Sequence, residues 1–514
     1  IATYLNQVDL SGTSVYVGSI HYRHPTLAFL ADAYPQIKWL VGASTAVAPA
    51  TDEALYLFPR SAKPDPDWFT HQLPGTVPIA APTAPDGAPA FGGYYLATPP
   101  PVPDKALAEF SGVARLLDYQ VRRAVSGDTA DVTVTWEILA PPPHPGLTPF
   151  YHLVDRRGFR WGQADPFHYS AENWTPGEVV MDRVRVAIGP GAPPGEYVLE
   201  AGLYSQNADT RVAVVDDEGG FSGTTVPLTV TVTRADTPPD ASRLGIHQRL
   251  NLETGTGLTL LGANLDTRDA RPGESVHLTL FWRSGRQQED YTVHLTLNAL
   301  AGERFDLYRD GPVHGTYPTS RWQEGEIIVD RYSLRLPLAA TDAAPGDYAL
   351  ELNLTEPDGE RALDSVELGT VKLVAADRVF EVPAIDQEQQ AAFGDQIELL
   401  GYNLDHTAAE PGGKIGLTLF WRALKEMDTS YTVFTHVLGP DGQILAQQDN
   451  LPVGGTYPTT LWLPGEVVAD PYEISLPPDV GPGDFPVQVG FYVADNGLRL
   501  GTPVVLETAV RIAP

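Results

Sequence analysis

The chain contains no cysteine, which removes disulfides, thiolate nucleophiles and Cys-ligated zinc from consideration. Positive charge is also short: 34 basic residues face 65 acidic ones, for a formal net charge of -31, and only six of the 34 are lysine. A surface of that sign repels phosphate backbones and anionic lipid headgroups, so nucleic acid and membrane surfaces are disfavoured as partners. No run of about 20 apolar residues occurs, so no membrane-spanning helix is expected. Nor does the chain open with methionine or a signal-peptide pattern, which reads as a mature form or an excised piece. Catalytic and phosphate-binding signatures are missing as well: there is no G-x-S-x-G, no P-loop and no H-E-x-x-H. The acidic turns at 214–220, 355–361 and 439–443 lack EF-hand spacing and read as hairpin turns, so neither a metal nor a cofactor is expected.

Proline and glycine, by contrast, are plentiful, at 47 and 48 of 514 residues, beside 43% hydrophobic residues. Short strands joined by many turns fit that mixture, and the length predicts roughly four domains.

An internal repeat organises most of the chain. GTYPTTLWLPGEVVAD at 455–470 matches GTYPTSRWQEGEIIVD at 315–330 at nine of sixteen positions, and HYSAENWTPGEVVMD at 168–182 keeps the same frame. Around this stretch the flanking segments recur in order. DVTVTWE, HLTLFWR and GLTLFWR precede it, and PGEYVLEAGLY, PGDYALELNL and PGDFPVQVGFY follow it. The expected organisation is a small α/β domain over 1–105 and three homologous units over 106–235, 236–380 and 381–514. Apolar and polar residues alternate strictly in these segments, the pattern of half-buried strands. Each unit is predicted to be an immunoglobulin-like antiparallel β-sandwich with Trp136, Trp282 or Trp421 in its core.

The repeated stretch admits two readings. As a structural corner it fixes where a loop enters a strand, with Asp182, Asp330 and Asp470 on a core-facing register. Each carboxylate is then expected to accept hydrogen bonds from its own unit, which would favour the ionised form and lower its pKa. As a carbohydrate site, Tyr317 and Trp322, or Tyr457 and Trp462, would form a stacking platform for a sugar ring.

Residues 1–105 lie outside the repeat. SVYVGSI and IKWLVG read as strands flanking a helix over HPTLAFLADAYPQ, with LYLFPR and DWFTHQLPG continuing the alternation, and a three- or four-stranded sheet with parallel pairing is predicted. His21, Arg23 and His24 stand in the loop that opens the helix and are candidates for holding an anion.

The order VYVGSIHYRHPTLAFLADAYPQIKWLVG, LYLFPR and PDWF, followed by units with LLGYNLD, LTLFWR, TYPTTLWLPGEVVAD and PGDF, resembles the soluble carboxyl-terminal part of bacterial multi-spanning glycosyltransferases of the dolichyl-phosphate-mannose protein mannosyltransferase type. The resemblance implies an extracytoplasmic accessory region, tethered to the membrane only through an amino-terminal membrane domain not included in this chain. The acids that perform the chemistry in that family lie between its membrane helices, so no catalytic residue carries over. The implied partner is a glycan or polypeptide acceptor. Two other readings stand beside this one: a free-standing secreted or cell-surface protein whose sandwiches bind glycans or partner proteins, and a hydrolase with a carboxylate pair between domains.

Overall fold

The computed structural model describes every residue except 145, 206, 208, 209, 217, 218, 254–256, 268, 287, 288, 300, 301, 339, 341–343, 357–360, 376, 406, 407, 441, 495, 496, 513 and 514, and describes only the backbone of 361–364 and 408. The fold is mostly β, with few and short helices. The chain divides into two compact units, one formed by Ile1–Gly245 with Gly325–Val329, the other by Ile246–Glu324 with Asp330–Pro514.

In the first unit, the amino-terminal segment forms a five-stranded sheet in the order Ile37–Val41, Thr13–Ser19, Glu53–Pro59, Phe91–Leu96, Val77–Pro78. The first three strands are parallel, as the strand–helix–strand pattern predicts. Antiparallel addition of Phe91–Leu96 and then Val77–Pro78 takes the sheet beyond the expected three or four strands. The helix expected over 24–36 is shorter, Pro25–Leu30, with a separate 3-10 turn at Tyr34–Gln36. Pro35 accounts for the break, since a proline ring clashes with the carbonyl four residues earlier and has no N–H to offer it.

One strand of this segment leaves its own sheet. Thr45–Ala48 pairs antiparallel with Val179–Ala187, matching Thr45 with Asp182, and becomes the last strand of a seven-stranded sheet. That sheet also contains Ala114–Ala124 and Thr129–Ile138. The facing sheet of the same sandwich is built on Leu147–Val154, Gly195–Ser205 and Val226–Val232. Thr45–Ala48 was not anticipated, because TAVA carries no alternation.

The second unit contains two further sandwiches, made of five sheets among the described residues, and shares the strand Ile327–Arg335 with the first unit, to which Ile327–Val329 belong. One pairs the four strands Gln248–Glu253, Thr259–Leu265, Ser275–Arg283 and Ile327–Arg335 with a five-stranded sheet centred on Gly346–Thr355. The other repeats the four-stranded sheet as Gln387–Phe393, Ile397–Leu404, Lys414–Ala423 and Val467–Ser475. Here Pro486 interrupts the late strand: Gly483–Phe485 pairs with Val510–Ile512, whereas Val487–Tyr492 pairs with Thr432–Leu438. A proline cannot donate to a ladder, so the strand changes partners where the donor is missing.

The three predicted core tryptophans are buried, Trp282 and Trp421 at 0% exposure and Trp136 at 3%. Trp421 and Trp136 bridge layers. The Trp421 ring lies 4.6 Å from Phe491 on the opposite sheet and 5.7 Å from Phe393, and Trp136 donates from Nε1 to the Tyr151 hydroxyl across its sandwich at 3.0 Å. Replacing Trp421 by Ala should cost about 3–5 kcal/mol, the range for large aromatic truncations in a packed core. Urea denaturation checks this, and a loss below about 1 kcal/mol would mean that the ring does not tie the two sheets together.

Candidate functional site

The repeated corner is assembled from short-range constraints. In the third copy, Pro458 leads into the 3-10 turn Thr459–Leu461, and the turn carries Trp462 back beneath Tyr457. The Trp462 indole donates to the Tyr457 carbonyl at 3.0 Å, and Trp322 does the same to Tyr317 at 3.0 Å. This bond explains the five-residue spacing from Tyr to Trp. The Gly-Glu pair follows from a second constraint: Gly177, Gly325 and Gly465 all have left-handed φ, at 84°, 80° and 84°. That conformation folds the following Glu back onto the loop. Glu178 accepts from the backbone N–H of Thr175 at 2.9 Å, and Glu466 from that of Leu463 at 2.8 Å.

Each Glu is then met by a cation from a preceding segment. Glu466 pairs with Arg378 at 2.6 Å, both side chains being at most 4% exposed, and also accepts from the Tyr457 hydroxyl at 2.6 Å. The same Arg378 nitrogen reaches the Tyr457 hydroxyl at 2.8 Å and the Leu461 carbonyl at 2.9 Å. Within the first unit, Glu326 pairs with Arg234 at 2.9 Å. Glu178, also in that unit, pairs with Lys38 and accepts from Tyr16 at 2.8 Å and Tyr169 at 2.9 Å. Burial and the Glu178 charge raise the Tyr16 and Tyr169 hydroxyls far above the ordinary tyrosine range, so both remain donors at any physiological pH.

The aspartates occupy the core side of the next strand, as their register predicts. Asp470 accepts from the Trp421 indole at 3.0 Å, the Tyr472 hydroxyl at 2.6 Å and the Val453 backbone N–H at 2.7 Å. Asp330 accepts from Tyr332. Asp182 departs from the expectation that every donor comes from its own repeat. It accepts from Thr45, in the amino-terminal segment, at 2.8 Å and lies 2.8 Å from Nδ1 of His168. The substitution is legible afterwards, because the position of Tyr332 and Tyr472 is Val184 in the first copy. Burial disfavours the His168 imidazolium, but the Asp182 charge and hydrogen bond outweigh it and raise the histidine pKa.

The expected lowering of the aspartate pKa is overturned for Asp330 and Asp470. Burial pushes Asp330 up to about 7 and raises Asp470, with the donated hydrogen bonds acting in the opposite direction without prevailing. Desolvation wins because these carboxyls lie among apolar core residues, with no cation paired to them among the described residues.

The residues proposed as a sugar platform are packed inward. Tyr317, Trp322 and Trp462 are buried, and Tyr457 is half-buried along an open groove of about 310 Å³ that it shares with Arg271, Asp377 and Glu466. Trp174, their counterpart in the first copy, is half-exposed. In the amino-terminal loop, His24 caps the short helix by accepting from Thr26 N–H at 3.3 Å, and Arg23, with φ 59°, pairs with Glu172 at 3.2 Å. His21 is exposed and donates its backbone N–H to Ser19 at 3.2 Å. The acidic turns fall partly outside the described residues, at Asp217, Glu218, Asp358 and Asp441. Among the described residues no group of three or more His, Asp or Glu side chains is placed to hold a metal ion, and no helix is long and apolar enough to cross a membrane.

Sequence reasoning missed Lys38, Arg234 and Arg378, and also Thr319 and Thr459. Each of these threonines accepts the backbone N–H of a tyrosine on the preceding loop, Tyr291 or Tyr431, at 3.0 Å. A signal was available for the arginines: TRAD and ADRV place one Arg at the end of the preceding unit in each case.

No family model matches the chain, and no curated protein matches it. Among solved structures, a protein described as membrane-anchored from Corynebacterium diphtheriae aligns over 78% of this chain and 92% of its own, with 11% identity and a TM-score of 0.15.

Removing one partner of a buried ion pair strands the other charge, so Arg378→Met should destabilise the second unit by about 3–5 kcal/mol. The double change Arg378→Met with Glu466→Gln should recover a large part of that loss, as a double-mutant cycle in urea would show. Asp330 gives a second expectation, with its sign fixed by proton binding. A carboxyl with a native pKa near 7 and an ordinary unfolded value holds more protons when folded between about pH 4 and 7. Its contribution to stability therefore increases as pH falls through that window, opposite to the usual behaviour of a paired aspartate. Asp330→Asn should flatten this part of the stability–pH curve, and an unchanged slope would show that Asp330 is not its source.

Proposed function

We propose that this chain is a non-catalytic extracytoplasmic accessory region of a membrane glycosyltransferase, built from immunoglobulin-like sandwiches that present or recognise a glycan or polypeptide acceptor. The observation that carries the non-catalytic part is the internal use of the acidic groups. Both oxygens of Glu178, Glu466 and Asp470 already accept from residues of the same unit, and these carboxylates are at most 2% exposed. A catalytic acid or base must reach a proton on the substrate, and each of these carboxylates is already taken up by donors of the fold, including Glu466 where it borders the groove beside Tyr457. The glycosyltransferase part rests on the resemblance of the ordered segments described above. In this reading the chemistry belongs to a membrane domain, and the sandwiches act on the acceptor side.

The coding sequence upstream of Ile1 tests the reading directly. Several membrane helices carrying an acidic loop are expected there, and a gene without them would end the proposal. In membranes containing the parent protein, deletion of this region should leave sugar transfer to a short peptide intact while reducing transfer to a full polypeptide acceptor. Equal loss on both acceptors would mean that the region supports the membrane domain rather than the acceptor. Saturable glycan binding by a chain whose gene lacks membrane helices would favour a free-standing surface protein.

A further inference from the structure

The first sandwich carries a concentration of positive charge that the overall composition does not prepare for. An open groove of about 520 Å³ on its seven-stranded sheet is lined by Arg122, Arg123, Arg183 and Arg185, with Asp128 and Asp131 as its acidic lining residues and Thr129 beside them. Four of the chain's 34 basic residues thus meet in one groove of a protein with net charge -31.

The strand geometry explains how they converge. Arg185 and Arg123 both stand opposite Asp131, one on each neighbouring strand, and Arg183 stands opposite Thr133. These positions alternate with the core residues Val132, Val184 and Val186, so they point outward. Consecutive residues on a regular strand point to opposite faces, which would send Arg122 and Arg123 apart. A bulge between Val121 and Arg123 changes that, and both arginines line the groove. Along the same outer face, helix Pro66–Gln72 is fastened by the Trp68 indole, which donates to Thr133 at 3.3 Å.

The internal pairing leaves charge over. Arg183 binds Asp131 with two hydrogen bonds of 2.8 and 2.5 Å, and Arg123 reaches Asp128 at 2.6 Å. Arg122 approaches Asp131 only to 3.9 Å and is 64% exposed. Arg185 is exposed and forms no hydrogen bond or ion pair among the described residues. Two guanidinium forks thus face solvent beside a carboxylate already occupied by a third. Among the lining residues, four arginines stand against two aspartates, an excess of two positive charges that the charge of Asp65, acting on Arg183 from outside the groove lining, offsets in part. A carboxylate ligand would neutralise one of them, whereas a phosphate monoester, with a charge of roughly -1.5 to -2 at pH 7, matches both and offers three oxygens to the two forks.

We propose that this groove is a binding site for a phosphate monoester, held by Arg122 and Arg185 with Arg123 at its edge, while Arg183 and Asp131 fix the floor. The ligand class is a phosphorylated sugar or a lipid headgroup bearing a terminal phosphate. The site does not depend on the accessory role proposed above.

Calorimetry on the full chain with inorganic phosphate and with a hexose 6-phosphate tests the site, alongside flotation with phosphatidylcholine vesicles with and without phosphatidic acid. Saturable binding is expected, weakened about a hundredfold or more by Arg122→Gln with Arg185→Gln, since each change removes one charge-assisted fork. The melting temperature should not change, because neither guanidinium makes a close bond in the fold. Arg185→Lys keeps the charge but loses the fork and should fall between the two, while Arg249→Gln, on the second unit, should bind as the unaltered chain does. Binding of the soluble phosphates assigns the ligand to a phosphosugar. Binding confined to phosphatidic acid vesicles and lost in the double variant assigns it to a lipid headgroup. Absence of binding to every probe, or equal binding by the double variant, would overturn the proposal.

Discussion

A glutamate is buried in each repeated corner, and a cation reaches it from the segment that comes before. Taking a carboxylate out of water costs several kcal/mol, and the backbone N–H of the glycine turn supplies only part of what water offered. The remainder comes from Lys38, on a strand of the amino-terminal sheet, and from Arg234 and Arg378, which follow Val226–Val232 and Arg361–Leu373. In each corner the cation comes from outside the repeat that carries the glutamate. The corner therefore acts as a receptor for the preceding segment, and an aromatic and acidic cluster that resembles a ligand site is occupied by the chain itself.

The first copy shows what happens when the frame is kept and the partners change. Val184 replaces the tyrosine that serves Asp330 and Asp470, and Ala171 replaces the threonine that pins the loop in the other two copies. Thr45 and His168 take over at Asp182, and this arrangement depends on Thr45–Ala48 having joined the edge of the sheet. With Asp182 engaged in that direction, Trp136 donates to Tyr151 instead of to the aspartate. A single strand added at the edge thus redirects the polar contacts of the core beneath it.

Most of the fold was legible in the sequence because alternation and repetition are local signals. HLTLFWR and its counterparts identify both the strand and its buried face, and the five-residue interval between Tyr and Trp marks a corner before any coordinates are known. What was not legible depends on contacts distant in sequence. TAVA at 45–48 has no periodicity of its own and becomes a strand only because the edge of Val179–Ala187 needs a partner. The role of Arg378 is set by a glutamate 88 residues away. The pKa of Asp330 runs against its donors because burial outweighs them. The hydrogen bonds follow from register, whereas the desolvation that outweighs them follows from how completely two sheets close over the group.

The use of arginine in two corners and lysine in the third follows from the same accounting of donors. One nitrogen of Arg378 shares its two N–H groups among the Tyr457 hydroxyl, the Leu461 carbonyl and Glu466, and the fixed plane of the guanidinium holds that geometry. An ammonium is a compact point charge with no such plane, so a lysine in its place would leave the orientation of the glutamate less defined. The first copy contains that lysine, and it also contains a second tyrosine. Tyr16, stacked on Tyr56 at 5.1 Å, donates to Glu178 from the side opposite the turn and supplies the direction that Lys38 cannot. Glu178 therefore receives Tyr16, Tyr169, the Thr175 N–H and Lys38, where Glu466 receives Tyr457, the Leu463 N–H and Arg378. The buried tyrosine pair of the amino-terminal sheet is thus the counterpart of one guanidinium plane, which explains why that sheet presents Tyr16 and Lys38 to the same carboxylate.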